Sequence, residues 1–177
     1  MNHRDHVGLL RDGVEAGPAT WADLGSGEGA FTLALADLLG PSGRIYSVDR
    51  NKRALEAQAR ALRSAFPRVS ITQIVADFSR PLDLPLLDGI VMANSLHFER
   101  DKAAVLGLVR GYLKPEGRLL LVEYDSDEGN HWVPYPLSYP TWASLAAEAG
   151  FRETRRLASV PSRFLGSIYS ALSLSQD

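Results

Sequence analysis

Three glycines alternate behind an acid in Asp23-Leu24-Gly25-Ser26-Gly27-Glu28-Gly29-Ala30, the segment of this chain best equipped for chemistry. Glycine lets a backbone turn sharply and lets a ligand approach where a Cβ would clash. A helix starting behind such a loop offers unpaired N–H groups and a partial positive charge, which suit an anionic group. Gly25, Gly27 and Ala30 satisfy the G-x-G-x-x-G/A dinucleotide spacing, and an acid, Asp49, lies about 20 residues on. The competing reading is a tight strand-to-helix turn without a ligand. Asp49 and Asp77 each end an apolar run, where an acid either caps the next turn or faces a ligand at the sheet edge.

The elements that must position these residues follow from periodicity. Short apolar runs predict strands at Trp21–Leu24, Ile45–Val48, Val69–Ala76, Gly89–Ala93 and Arg118–Glu123. Helices are predicted over residues 3–15, from Ala30 to Leu39, from Asn51 to Phe66, from about Glu99 to Tyr112, and up to Ala149. Leu55, Ala59, Leu62 and Phe66 make one buried stripe, with Lys52, Arg53, Arg60 and Arg63 on solvated faces. Two β-like stretches, Arg152–Ser159 and Phe164–Leu174, close the chain with only a tight turn between them. They predict an antiparallel hairpin at one edge of an otherwise parallel, doubly wound, Rossmann-like α/β sheet. No linker or repeat divides residues 1–177, so one domain is expected, with 125–140 as a candidate substrate loop.

The order of these pieces carries a resemblance. Asp23-x-Gly25-x-Gly27-x-Gly29, Asp49 ending the second strand, Ala76-Asp77-Phe78 ending the third, Asn94-Ser95-Leu96-His97 after the fourth, and Leu113-Lys-Pro-Glu-Gly117 before the fifth follow one another. In that order and spacing the chain resembles the class I S-adenosylmethionine-dependent methyltransferases from Trp21 to the last hairpin. The resemblance implies a seven-stranded sheet with a reversed last strand, and S-adenosylmethionine as cofactor with S-adenosylhomocysteine as product. It implies that Gly25, Ser26, Gly27 and Gly29 form the loop along the cofactor's methionine and ribose. Asp23 would act on the methionine ammonium through water or by holding that loop. Asp49 would accept from both ribose hydroxyls, a task for a two-oxygen acceptor. Arg50 would lie along the adenine, Asp77 would accept from its amino group, and the Phe78 N–H would donate to the ring. Asn94 would offer its backbone carbonyl to the ammonium. The first 17 residues hold a helix that in this family often folds over the cofactor as a lid.

Methyl transfer from a sulfonium needs an in-line acceptor and a dry site, with a base only when the acceptor arrives protonated. His97, three residues after Asn94, is the first candidate base, and a helix-start histidine bonded to backbone is its competitor. His131 is the second, beside Trp132 and Tyr135, aromatics that either wall a pocket or pin a Pro-rich loop. His3 and His6 read as a solvated helix face. Glu123, Asp125, Asp127 and Glu128 lack the spacing of a calcium loop and read as solvated loop or as a mild attraction for a cationic acceptor, so no metal is expected.

Composition narrows the partners. With 19 basic against 21 acidic residues the chain has no global basic footprint for nucleic acid. No cysteine is present, which removes thiol chemistry. The apolar runs are too short to cross a bilayer, and a charged start leaves a cytoplasmic protein as the default. Arg152, Arg155, Arg156 and Arg163 read as a solvated hairpin face. Phe164, Ile168 and Leu172 either support a homodimer or fill the core. A small-molecule methyl acceptor is the expected partner. The rival functions are a SAM-binding regulatory or scaffold protein without catalysis, and an NAD-dependent oxidoreductase.

Overall fold

A computed structural model describes residues 1–176. Strands β1 (Thr20–Leu24), β2 (Arg44–Asp49), β3 (Ser70–Val75), β4 (Leu87–Ala93), β5 (Leu113–Tyr124), β6 (Phe151–Pro161) and β7 (Ser167–Ser175) form one sheet in the order β3-β2-β1-β4-β5-β7-β6. The first five strands pair in parallel, and β7 runs antiparallel to both β5 and β6. The seven-stranded Rossmann-like sheet and its reversed strand agree with the sequence reading. Strand order reverses between β1 and β4, and in open α/β sheets ligands bind at the carboxyl ends of the strands beside such a switch.

Helices α1 (His3–Leu10), α2 (Ala30–Leu39), α3 (Lys52–Ala65), α4 (Lys102–Tyr112) and α5 (Tyr139–Glu148) cover the two faces. Both faces being buried explains why the strands read as unbroken apolar runs. Along β5, Leu119 and Leu121 pack on one side with Leu106, Val109 and Trp142, while Leu120 and Val122 pack on the other with Leu35 and Leu39. Among the described residues, no helix is long and apolar enough to cross a membrane.

Several boundaries differ from those expected, each for a local reason. The first helix ends at Leu10 and tightens into a 3-10 turn at Arg11–Gly13. It is capped by Asn2 and Asp5 together, and it buries Val7, Leu9 and Leu10. It lies on α2, with His3 3.1 Å from Asp37 and the His6 ring on Phe31. The fourth helix starts at Lys102 because Asp101 caps it, leaving Leu96–Phe98 as a 3-10 turn. Phe164 is not on the last strand. Ser162 and Gly166 close the hairpin turn by a backbone bond, and Phe164 stands in that turn with its ring exposed. Ile168 and Leu172 fill the core.

The hairpin arginines also depart from a plainly solvated face. Arg156 pairs with Asp125 at 2.9 Å and lies over the Tyr139 ring, and Arg152 pairs with Glu116. Arg155 donates to the Asp12 carbonyl, and Arg163 alone of the four is simply exposed.

Candidate active site

The glycine loop begins as an extension of β1. The N–H groups of Gly25 and Ser26 both donate to the Val48 carbonyl at the end of β2, at 2.9 and 3.0 Å. Gly25, Gly27 and Gly29 all have positive φ, so the loop reverses tightly into α2. A Cβ on Gly25 would sit 2.5 Å from the Ser95 Cβ, and one on Gly29 would sit 2.3 Å from the Gln58 Cγ. At Gly27 nothing lies within 4 Å. The three glycines therefore serve different ends: two permit close packing and one leaves space.

Beneath the loop runs a buried polar chain. The Thr32 hydroxyl donates to Asp23 Oδ2 at 2.6 Å, Gln58 Nε2 donates to Thr32, and Ser47 Oγ lies 2.7 Å from both Gln58 Oε1 and Ser26 Oγ. Gln73 Nε2 donates to Gln58 from β3. These bonds tie β1, β2, β3, α2 and α3 together and satisfy groups whose burial would otherwise be costly. Burial raises the Asp23 carboxyl to about 7, offset in part by Thr32 and reinforced by the nearby Asp49.

Above the loop, between the ends of β1, β2, β3 and β4, is a cavity of about 370 Å³. Gly25 and Gly27 form its floor, with Glu28 beside them; Asp49, Arg50, Asn51 and Ala54 form one side. Ala76, Asp77 and Phe78 close the far end, and Asn94, Ser95, Phe98 and Glu99 form the wall from β4. Asp49 Oδ2 accepts from the Gly27 N–H at 2.8 Å and its Oδ1 from the Asn51 N–H at 2.7 Å, so the carboxylate fixes the loop it faces. The Ser79 hydroxyl and N–H hold Asp77 through Oδ1, which keeps its carboxyl below the usual range. Asn94 has φ 51° and a buried Oδ1 without a partner among the described residues. Four carboxylates (Glu28, Asp49, Asp77 and Glu99) line the cavity against one guanidinium, Arg50.

Of the residues singled out by sequence, Gly25, Gly27, Asp49, Arg50, Asp77, Phe78 and Asn94 meet at this cavity. Asp23, Ser26 and Gly29 belong to the supporting layer under it. His97 stands behind the wall, 3% exposed, and His131 is exposed beside Trp132. The structure adds Glu28, Asn51, Ala54, Ala76, Ser95, Phe98 and Glu99 to the lining.

Glu123 was read from the sequence as solvated loop, and this is corrected. It is fully buried on β5, and both its oxygens lie 3.0 Å from His97 Nδ1. It also accepts from the His97 and Tyr124 N–H groups. A carboxylate directly continuing the run Leu119–Val122 was the available signal, since an acid inside a buried strand requires a partner. Asp125 and Asp127 instead tie the loop to α5, through the Tyr139 N–H and Ser138. Tyr139 pins that loop, packing edge-on against Tyr169, whereas Trp132 and Tyr135 are exposed. Among the described residues no group of three or more Asp, Glu or His is placed to hold a metal ion.

His97 is oriented by Glu123. In a neutral imidazole, Nδ1 donating to Glu123 would leave the lone pair on Nε2. Among the described residues Nε2 has no hydrogen-bond partner, and the side chain is 4% exposed. The ring lies 4.3 Å from Phe98, centre to centre, on the side of the cavity, and 5.8 Å from Tyr124.

Residues 19–152 match the model of a family described as a methyltransferase domain. Among curated proteins, an uncharacterized 37.1 kDa protein of a Streptomyces fradiae transposon is 30% identical over 138 residues, covering 77% of this chain and 38% of that protein. The ubiquinone/menaquinone biosynthesis C-methyltransferase of Pasteurella multocida is 31% identical over 104 residues, covering 58% of this chain and 38% of that protein. The chain thus spans well under half the length of either. Among solved structures, the 1,6-didemethyltoxoflavin-N1-methyltransferase of Burkholderia thailandensis, with its substrate and S-adenosylhomocysteine bound, superposes with a TM-score of 0.76 at 21% identity. That match covers 99% of this chain and 79% of the other, and it shows a shared fold.

Proposed function

Because the chain belongs to the methyltransferase-domain family, we propose that it moves the methyl group of S-adenosylmethionine to a small-molecule acceptor, releasing S-adenosylhomocysteine. The observation that carries this reading is the charge of the cavity. Four carboxylates facing one guanidinium favour a cationic sulfonium and repel the diphosphate of a nicotinamide dinucleotide. The residues also fit the shape of such a cofactor. Gly27 leaves open space over the loop, and Asn94 Oδ1 is a buried acceptor in need of a donor. Asp49 and Asp77 stand at the ends of neighbouring strands, each with a carboxylate already oriented by backbone N–H groups.

When bound, the cofactor supplies a methyl group already activated by positive sulfur. The protein's work is orientation and exclusion of water, which in favourable cases supplies ~7–11 kcal/mol. Asp49 holds the ribose, Asp77 and the Phe78 N–H read the adenine, Arg50 flanks it, and Asn94 receives the ammonium. Asp23 acts from below, through Thr32, by fixing the first turns of α2. His97 takes the acceptor's proton at Nε2, and Glu123 positions its ring. His131, exposed on the loop, has no such support. The Pasteurella relative's name gives a C-methyltransferase of quinone biosynthesis, which agrees with a small organic acceptor.

Calorimetric titration with S-adenosylmethionine, S-adenosylhomocysteine and NAD tests the reading. The first two are expected to bind and NAD is not, and Asp49→Ala is expected to weaken both about tenfold or more, as loss of a charge-assisted acceptor implies. Binding of NAD alone, or an Asp49→Ala variant with unchanged affinity and a normal melting curve, would refute it.

A further inference from the structure

The lining of the cavity follows the sheet. Residues after β3, β2, β1 and β4 stand around it in that order. With Asp77 reading the adenine at β3 and Asp49 holding the ribose at β2, the wall after β4 is left for the sulfur and its amino-acid arm. That wall consists of Asn94, Ser95, Phe98 and Glu99. Ser95 is buried, and its hydroxyl is committed to the Leu24 carbonyl. Phe98 is the one large apolar side chain the wall offers.

This ring ends the 3-10 turn Leu96–Phe98, whose first two side chains are buried. Phe98 itself is 52% exposed and packs into neither half of the core, whereas Phe78, the other ring of the lining, packs against it. The turn that carries Phe98 is nevertheless braced. The Phe98 N–H donates to the Ser95 carbonyl at 3.3 Å and the Glu99 N–H to the Leu96 carbonyl at 3.0 Å. Lys102 Nζ holds the Glu99 carbonyl at 2.9 Å. Against the ring lies His97, which Glu123 fixes in turn.

A sulfonium carries positive charge but no N–H or O–H, so it cannot donate a hydrogen bond to the surrounding carboxylates. The negative face of an aromatic ring suits such a cation, as it suits a quaternary ammonium. Methyl transfer leaves the bonding pair on sulfur, and the neutral thioether product draws no such attraction.

We propose that the Phe98 ring meets the positive sulfur and shifts the balance of affinities toward the charged methyl donor and away from its neutral product. Glu28 and Glu99 add a longer-range attraction for the same charge. Loss of the contact on methyl transfer favours product release. The inference rests on the methyltransferase reading and adds to it a residue that tells donor from product.

The test is calorimetric titration of the full chain with S-adenosylmethionine and with S-adenosylhomocysteine. Phe98→Leu keeps an apolar side chain without the aromatic face. It is expected to weaken S-adenosylmethionine about fivefold and to leave S-adenosylhomocysteine within about twofold of the wild type. Phe98→Tyr keeps the face and is expected to keep the wild-type ratio of the two affinities. Should Phe98→Leu fail to melt cooperatively, para-cyanophenylalanine at position 98 decides in its place. It retains a ring but withdraws its negative potential, and the same selective loss is expected. Equal weakening of both ligands, unchanged affinity for both, or a ratio altered by Phe98→Tyr as much as by Phe98→Leu overturns the role of Phe98 alone. A wild type that binds neither ligand overturns the parent reading and this one with it.

Discussion

Replacing the loop glycines one at a time by alanine separates packing from ligand space. Gly25 has φ +79°, and a Cβ there would fall 2.5 Å from Ser95 Cβ and 3.1 Å from the Phe78 ring. Ser95 cannot retreat readily, since its hydroxyl is held by the Leu24 carbonyl at 2.8 Å. Left-handed backbone costs an alanine about 1–2 kcal/mol and forced overpacking about 1–3 kcal/mol more. For a chain of this size that combination lowers the melting temperature by about 5–15 °C. Gly27 differs. Its φ of +52° carries the backbone cost of about 1 kcal/mol, with no atom within 4 Å to collide with a methyl group. Gly27→Ala is therefore expected to melt only about 2–4 °C below the parent, yet to bind S-adenosylhomocysteine about tenfold or more weakly. That loss corresponds to ~1.4 kcal/mol, from a methyl group standing in the cavity. Thermal unfolding by circular dichroism and calorimetric titration measure the two effects. Gly27→Ala with undiminished affinity, or Gly25→Ala with an unaltered melting curve, would show that the roles have been wrongly divided.

Two further outcomes test the supporting layer. Glu123→Ala strands the His97 Nδ1 and N–H donors in a buried site and is expected to cost about 3 kcal/mol or more, whereas Glu123→Gln keeps an acceptor for Nδ1 and costs less; urea denaturation midpoints compare them. Asp23, raised to about 7 in the folded chain, gives a pH dependence of definite sign. Between the ordinary carboxyl range and 7 the folded state holds a proton that the unfolded state has lost. This contribution is thus full below about pH 4, declines as the pH rises to about 7 and is gone above it. Asp23→Asn is expected to flatten stability between pH 4 and 7, and an unchanged profile would remove Asp23 as its source.

Much of the site could be read from sequence because it is built from strand ends. Asp49, Asp77 and Asn94 each follow a short apolar run, and the parallel arrangement brings such ends to one edge whatever the details of packing. The glycine loop is legible for the same reason, as a turn between an adjacent strand and helix. Phe164 was misplaced on the last strand because alternation alone does not say where a hairpin turns. Ser162 and Gly166 decide that by a backbone bond.

Local order along the chain thus determined the α/β class, the reversed last strand and the residues at the cavity rim, since each depends on neighbours a few positions away. Tertiary structure decided what depends on distant partners. It set Glu123 beneath His97, 26 residues apart. It also ran Gln58 under the glycine loop and made Gly27, rather than Gly25 or Gly29, the glycine that opens onto space. The reason is burial: a polar side chain removed from water must find its donor or acceptor wherever the fold supplies one, and spacing in the sequence carries no record of that meeting.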